Sequence, residues 1–177
     1  MRHFIVHTRR AGHGVTRPLN CSVMRNETPQ LHFRSDIFSV DPNEDEETNP
    51  FCYGKQLAVW VAEKFRAAGY SPEPVIPEDW GWCVMLERRP FLLWIACGND
   101  RSEFYGSVTP EQKPNFVPRV DQLKWTCFVG TDVLVWTPFF WQRLFGRVST
   151  SEAVARVGSQ LEQFLKAERG ITLTEAW

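Results

Sequence analysis

Apolar residues recur at different spacings along this chain, and each spacing predicts an element. Leu57, Trp60, Val61, Phe65 and Ala68 follow the three-and-four spacing of one helical face, interrupted only by Lys64. Lys55, Gln56, Glu63 and Arg66 fall away from that stripe. Asn49 is placed to cap the helix, Pro50 suits its first turn and Gly69 suits its end, so the pattern predicts a helix over 50–68. Val154, Val157, Leu161, Phe164 and Leu165 form a second stripe. Ser149 and Glu152 stand before it at capping-box spacing and Gly170 follows it, which predicts a helix over 150–169. A shorter helix opens at Thr137-Pro138 and closes at Gly146. Phe139, Phe140, Trp141 and Phe145 make it aromatic nearly all round.

Other runs read as strands. Leu31 to Val40 carries Phe33, Ile37, Phe38 and Val40. Trp82 to Leu86 and Phe91 to Cys97 are apolar on both faces, the pattern of a hairpin in the middle of a sheet, with 87–90 as its turn. Lys124 to Val129 and Val133 to Trp136 predict two further strands joined by a turn at Gly130-Thr131-Asp132. Pro72, Pro74 and Pro77 leave 71–77 as an extended connector with at most a short edge strand. Residues 101–121 read as a long loop and 171–177 as a tail. The element order predicts an α+β fold: a mostly antiparallel sheet of about five strands packed against two main helices.

Residues 1–30 stand apart. Arg2, Arg9, Arg10, Arg17 and Arg25 face one acid, Glu27, and glycines and prolines break the pattern. The segment reads as a basic arm, with 31–177 as a single domain.

Composition sharpens this picture in three ways. The net charge of −1 disfavours a strongly basic nucleic-acid binder. Eight Trp and thirteen Phe among 177 residues exceed what a surface can hold, so most must enter the core and the surplus offers binding surface. Five Cys, at 21, 52, 83, 97 and 127, form no CxxC pair, which suggests reduced, buried thiols rather than a disulfide framework or a zinc site. With no apolar leader and no run of about 18 apolar residues, a cytoplasmic protein away from membranes is expected.

The motifs of common chemistry are missing. There is no Gly-x-Ser-x-Gly elbow, no glycine-rich phosphate loop and no His-Glu-x-x-His. His32 is the only His beyond residue 13. No cofactor and no metal are expected; the three His of the arm lack acidic or Cys companions. The best enzymatic candidate is a hydrolase-like carboxylate pair, Glu78 and Asp79 beside Trp80 and Trp82, with Asp132 as a further acid. A carboxyl against an indole can have its pKa raised by desolvation and work as an acid. Against this, Asp at the entry to a strand commonly just caps backbone amides. Nucleic-acid binding would use the basic arm, or Arg88, Arg89, Arg101 and Lys113 near Trp80, Trp82 and Tyr105.

A protein-binding role accommodates more features. Asp41, Glu44, Asp45, Glu46 and Glu47 place five acids within seven residues. Such a run is a solvated loop in one reading and a steering patch for a basic partner in the other. With Trp80 and Trp82 as aromatic anchors, these residues are the candidate partner-binding set. The stretch from Asn49-Pro50-Phe51-Cys52-Tyr53-Gly54-Lys55 to Asp79-Trp80-Gly81-Trp82 resembles segments of small bacterial domains, some of them similar to immunity proteins of bacterial toxin systems. That resemblance implies a small cytosolic binding domain; together with the acidic run and the aromatics, the expectation is a non-enzymatic inhibitor or immunity protein that occludes a basic partner such as a nuclease toxin.

Overall fold

The computed structural model describes residues 24–102, 104–105, 107–109, 116–133 and 149–175. The expected helix over 137–146, and residues 1–23 of the basic arm, lie outside them. The fold is α+β. The strands are β1 (Met24–Glu27), β2 (Leu31–Ser35), β3 (Ile76–Glu78), β4 (Gly81–Glu87), β5 (Leu92–Asn99), β6 (Trp125–Val133) and β7 (Ile171–Thr174). The two main helices are α2 (Lys55–Ala67) and α3 (Thr150–Ala167); a four-residue helix, α1 (Glu44–Glu47), precedes them.

All pairings are antiparallel, in the order β3-β4-β5-β6-β2-β7. β1 joins the same edge of β6 as β2, beyond it along the strand: Asn26 faces Thr131 and Leu31 faces Cys127. Thr28 bridges the gap, its N–H donating to the Val129 carbonyl (2.8 Å) and its hydroxyl accepting from the Val129 N–H (3.0 Å).

Both helices pack on one face of the sheet. Leu57, Ala58, Val61 and Phe65 of α2 and Val154, Val157, Leu161 and Leu165 of α3 meet Phe33, Trp82, Val84, Leu93, Ile95, Trp125 and Val129 in one buried cluster. Each large side chain in it contributes roughly 1.5–3 kcal/mol on leaving water. The opposite face carries a second cluster of Cys83, Met85, Trp94 and Ala96, flanked by Ile76, Leu92 and Phe128. β4 and β5 are buried on both faces, as their unbroken apolar runs predict.

Four local expectations change. The first long helix begins at Lys55 rather than Pro50, because Phe51 (φ 63°) and Gly54 (φ 150°) hold the chain in non-helical backbone before it. β2 ends at Ser35, and the turn beyond it delivers Phe38 edge-on to Trp60 (5.7 Å) and Trp125 (5.8 Å). Gly130-Thr131-Asp132 is not a turn: β6 runs straight through it, paired with β5 on one side and β1 on the other. Residues 171–174 are not a tail but β7, which extends the sheet beyond β2. Gly69 (φ 93°) and Gly170 (φ 88°) end the two helices in the left-handed region, and the Ser149 hydroxyl accepts the Glu152 N–H at 3.3 Å, as their positions predict.

Candidate functional site

The acidic run behaves residue by residue. Glu44 is buried, 1% exposed, and its carboxylate accepts the N–H groups of Gly54 (2.5 Å) and Lys55 (2.6 Å). It therefore caps α2 from the start of α1, a role that the expected Asn49 cap does not fill. Burial raises the Glu44 pKa, opposed by those two N–H groups. Asp45 is half-buried and accepts the Phe51 N–H at 3.0 Å; Asp41 is exposed and accepts the Asn43 N–H at 3.0 Å. Glu46 and Glu47 are exposed, Glu47 paired with Lys55 at 2.5 Å. Of the five acids, Asp41, Glu46 and Glu47 present their charge most openly.

The two candidate anchors separate. Trp82 is 1% exposed on the helix side of the sheet, with the Lys55 ammonium 4.8 Å above its ring, and offers a partner no surface. Trp80 is 40% exposed on the opposite side, stacked on Trp94 (5.7 Å) and tilted against Phe128 (6.3 Å). Residues two apart on a strand share a face, so the separation of Trp80 from Trp82 comes from Trp80 lying in the turn before β4, which sets it over the outer face. The close approach of that turn to β5 requires glycine: at Gly81 (φ 150°) an added Cβ would lie 2.5 Å from the Cys97 carbonyl oxygen.

Two tertiary contacts join the chain just after the acidic run to the turn before β4 and to Tyr105. The Asn49 side-chain amide donates to the Asp79 carbonyl at 2.5 Å, and the Tyr105 hydroxyl donates to the Pro50 carbonyl at 3.5 Å. Tyr105, 60% exposed, also meets Phe51 edge-on at 5.8 Å. The segment that follows the acids, Asn49 and Pro50, thus lies beside the Trp80 turn and Tyr105.

The carboxylate candidates are only partly gathered. Glu78 and Asp132 line one recess of about 310 Å³ with Cys83, Met85, Leu92 and Trp94. Asp79 is exposed and lies outside that lining. Asp132 accepts the Trp94 indole N–H at 3.0 Å, and Glu78 is exposed. The Cys83 thiol is pushed up to about 12 by burial, with the charges of Glu78 and Asp132 adding to the rise, so it is no nucleophile at neutral pH.

A larger cleft of about 650 Å³ opens on the same outer face, and the sequence reading did not anticipate it. Its floor is set by sheet register: Gly98 pairs with Thr126, and Thr126 pairs with His32. Asn99, Asp100, Arg101 and Tyr105 form one rim, and Trp80 and Phe128 form another. Asn99 is committed to the scaffold, accepting from the Tyr53 N–H (2.8 Å) and donating to the Asp100 carbonyl (3.1 Å). Burial pushes Asp100 up, but the Ser102 N–H at 2.9 Å and the nearby Lys124 outweigh it and hold the carboxyl below its usual range. The available signal in the sequence was the alternation Leu31-His32-Phe33, which places a polar His opposite the core face of a strand.

Among the described residues no three His, Cys, Asp or Glu side chains cluster as a metal site, and no helix is long and apolar enough to cross a membrane. No protein-family model matches the chain, and neither a curated protein nor a solved structure matches it.

Proposed function

We propose that this chain is a non-enzymatic protein-binding domain, acting on a partner with a basic surface. Where that partner is a toxin, the domain neutralises it by occlusion, as an immunity protein does. The observation that carries this reading is the Asn49–Asp79 hydrogen bond, which ties the acidic segment to the turn that displays Trp80. Asp41, Glu46 and Glu47 then steer a basic partner, while Trp80 and Tyr105 supply exposed aromatic anchors that binding would desolvate. Glu44 and Trp82 serve the same surface from below by fixing the start of α2.

The test is affinity capture with the intact chain from nuclease-treated lysate, followed by titration of whichever protein is retained in stoichiometric amount. Glu46→Lys with Glu47→Lys should slow association and flatten its salt dependence, while Trp80→Ala should speed dissociation, at a cost of about 2 kcal/mol or more for an anchor. Retention unaffected by all three substitutions would remove the proposed surface.

A second reading has one observation in its favour: Glu78 and Asp132 share a recess beside Trp94. It assigns them acid–base work in a hydrolase, with Asp79 dropped from the set. Hydrolytic activity abolished by both Glu78→Gln and Asp132→Asn would favour it over the binding role.

A further inference from the structure

The floor of the large outer-face cleft holds polar atoms that the protein itself leaves unanswered. His32 Nδ1, Thr126 Oγ1 and Arg101 Nη1 are buried and have no hydrogen-bond partner, and all three residues line the cleft. Buried polar groups are ordinarily paired, so three such atoms on residues lining one cavity are a departure from the usual pattern. They come from three separate pieces of chain: His32 from β2, Thr126 from β6, and Arg101 from the segment after β5. The His32–Thr126 pairing in the β2–β6 ladder fixes their spacing, so the set is held by the sheet and does not depend on loop conformation alone.

The donors specify a chemistry. Arg101 brings a permanent positive charge and planar N–H groups, Thr126 brings a hydroxyl and His32 a ring nitrogen, a combination suited to the oxygens of an oxyanion. Among the described residues Asp100 is the one carboxylate on the lining. It accepts the Ser102 N–H, and Lys124 and His32, from two other segments, both act on its charge. The walls specify a second feature. Trp80 and Tyr105 are exposed and Phe128 half-buried, which gives the cleft flat faces for a ring. Arg101 already lies 5.8 Å from the centre of the Tyr105 ring, which joins the charged and aromatic parts of the lining. A cavity of this size accepts a small organic molecule.

We propose that this cleft binds a small ligand carrying an oxyanion, carboxylate or phosphoryl, on a flat unsaturated ring. The oxyanion sits against Arg101, Thr126 and His32, and the ring lies between Trp80, Phe128 and Tyr105. The site does not rest on the protein-binding reading, although Trp80 and Tyr105 serve both.

Calorimetric and NMR titration of the full chain with benzoate, phenyl phosphate and adenosine monophosphate tests it, with benzamide as the uncharged control. Benzoate separates the carboxylate source from the two phosphoryl probes. At least one of the three anions should bind saturably below about 10 mM, and benzamide should bind about tenfold more weakly or not at all. Thr126→Val removes a buried hydroxyl that has no partner, so it should fold as the parent does while weakening the anion about tenfold. Arg101→Gln should weaken it further, and Arg101→Lys should restore only part of the loss. Glu46→Lys with Glu47→Lys should leave the anion's affinity unchanged, which separates this site from the partner surface. No saturable binding by any anion, equal binding by benzamide, or full affinity in both Thr126→Val and Arg101→Gln would each overturn the proposal.

Discussion

At the scale of single residues, burial changes what a side chain is for. Glu44 stands in an acidic run that reads as surface, yet it is buried and holds the first N–H groups of α2. Glu44→Ala should cost about 2–4 kcal/mol, because it leaves a void and strips buried N–H groups of their acceptor; chemical denaturation measures this directly. Folding raises the Glu44 pKa above its ordinary 4.5, so the folded chain holds that proton more tightly than the unfolded chain. The resulting stabilisation is fully present below 4.5 and is lost as pH rises through the raised folded value. Unfolding free energies measured across that window should fall with pH in the parent, and Glu44→Gln should remove this component. Nothing in the run Glu44-Asp45-Glu46-Glu47 distinguishes the first residue from the other three. The distinction arises when Gly54 and Lys55 arrive beside it, ten and eleven positions later.

At the scale of elements, local signals marked the ends well where the partner groups are local. Ser149 caps α3 through Glu152, three residues on, and Ser149→Ala should cost about 1 kcal/mol in thermal or denaturant unfolding. Signals failed where a long-range contact sets the conformation. Gly130-Thr131-Asp132 has the composition of a turn, but Gly130 sits opposite Trp94 in the β5–β6 ladder. An added Cβ there would lie 2.4 Å from the Trp94 ring, so the glycine makes room for an indole and the strand continues. Gly130→Ala should displace Trp94, disturb the Trp80 stacked on it and cost about 1–3 kcal/mol; the near-ultraviolet dichroism of the stacked indoles should fall with it. Ile171–Thr174 was equally illegible as a strand, because four residues carry little periodicity and the segment is defined by pairing to β2.

At the scale of the whole molecule, the sheet divides the chain's aromatic load between two faces. The helix side absorbs Trp82, Trp125, Phe33 and Phe65 into the main core. The outer side arranges Trp80, Trp94 and Phe128 between the 310 Å³ recess and the 650 Å³ cleft, which both count Trp80 and Phe128 among their lining. This shared wall predicts how the two proposed binding events separate. Trp80→Ala should weaken both the protein partner and the anionic ligand. Arg101→Gln should weaken the anion selectively, and Glu47→Lys the partner selectively. Titrating each ligand against all three variants measures the pattern, and an Arg101→Gln effect of equal size on both would mean a single site.

The sequence by itself determined the α+β class, the apolar stripes of α2 and α3, the glycines and the Ser149 cap that bound them, and the central hairpin of β4 and β5. These follow from periodicity and from groups that act within a turn or two of each other. Tertiary structure alone decided that Glu44 is a buried cap, that Trp80 and not Trp82 faces outward, that β6 passes through a turn-like triplet, and that His32, Arg101 and Thr126 line one cleft. The Glu44 cap depends on groups ten and eleven positions away, and the others depend on residues further apart that strand register brings together, and register is a property of the folded sheet.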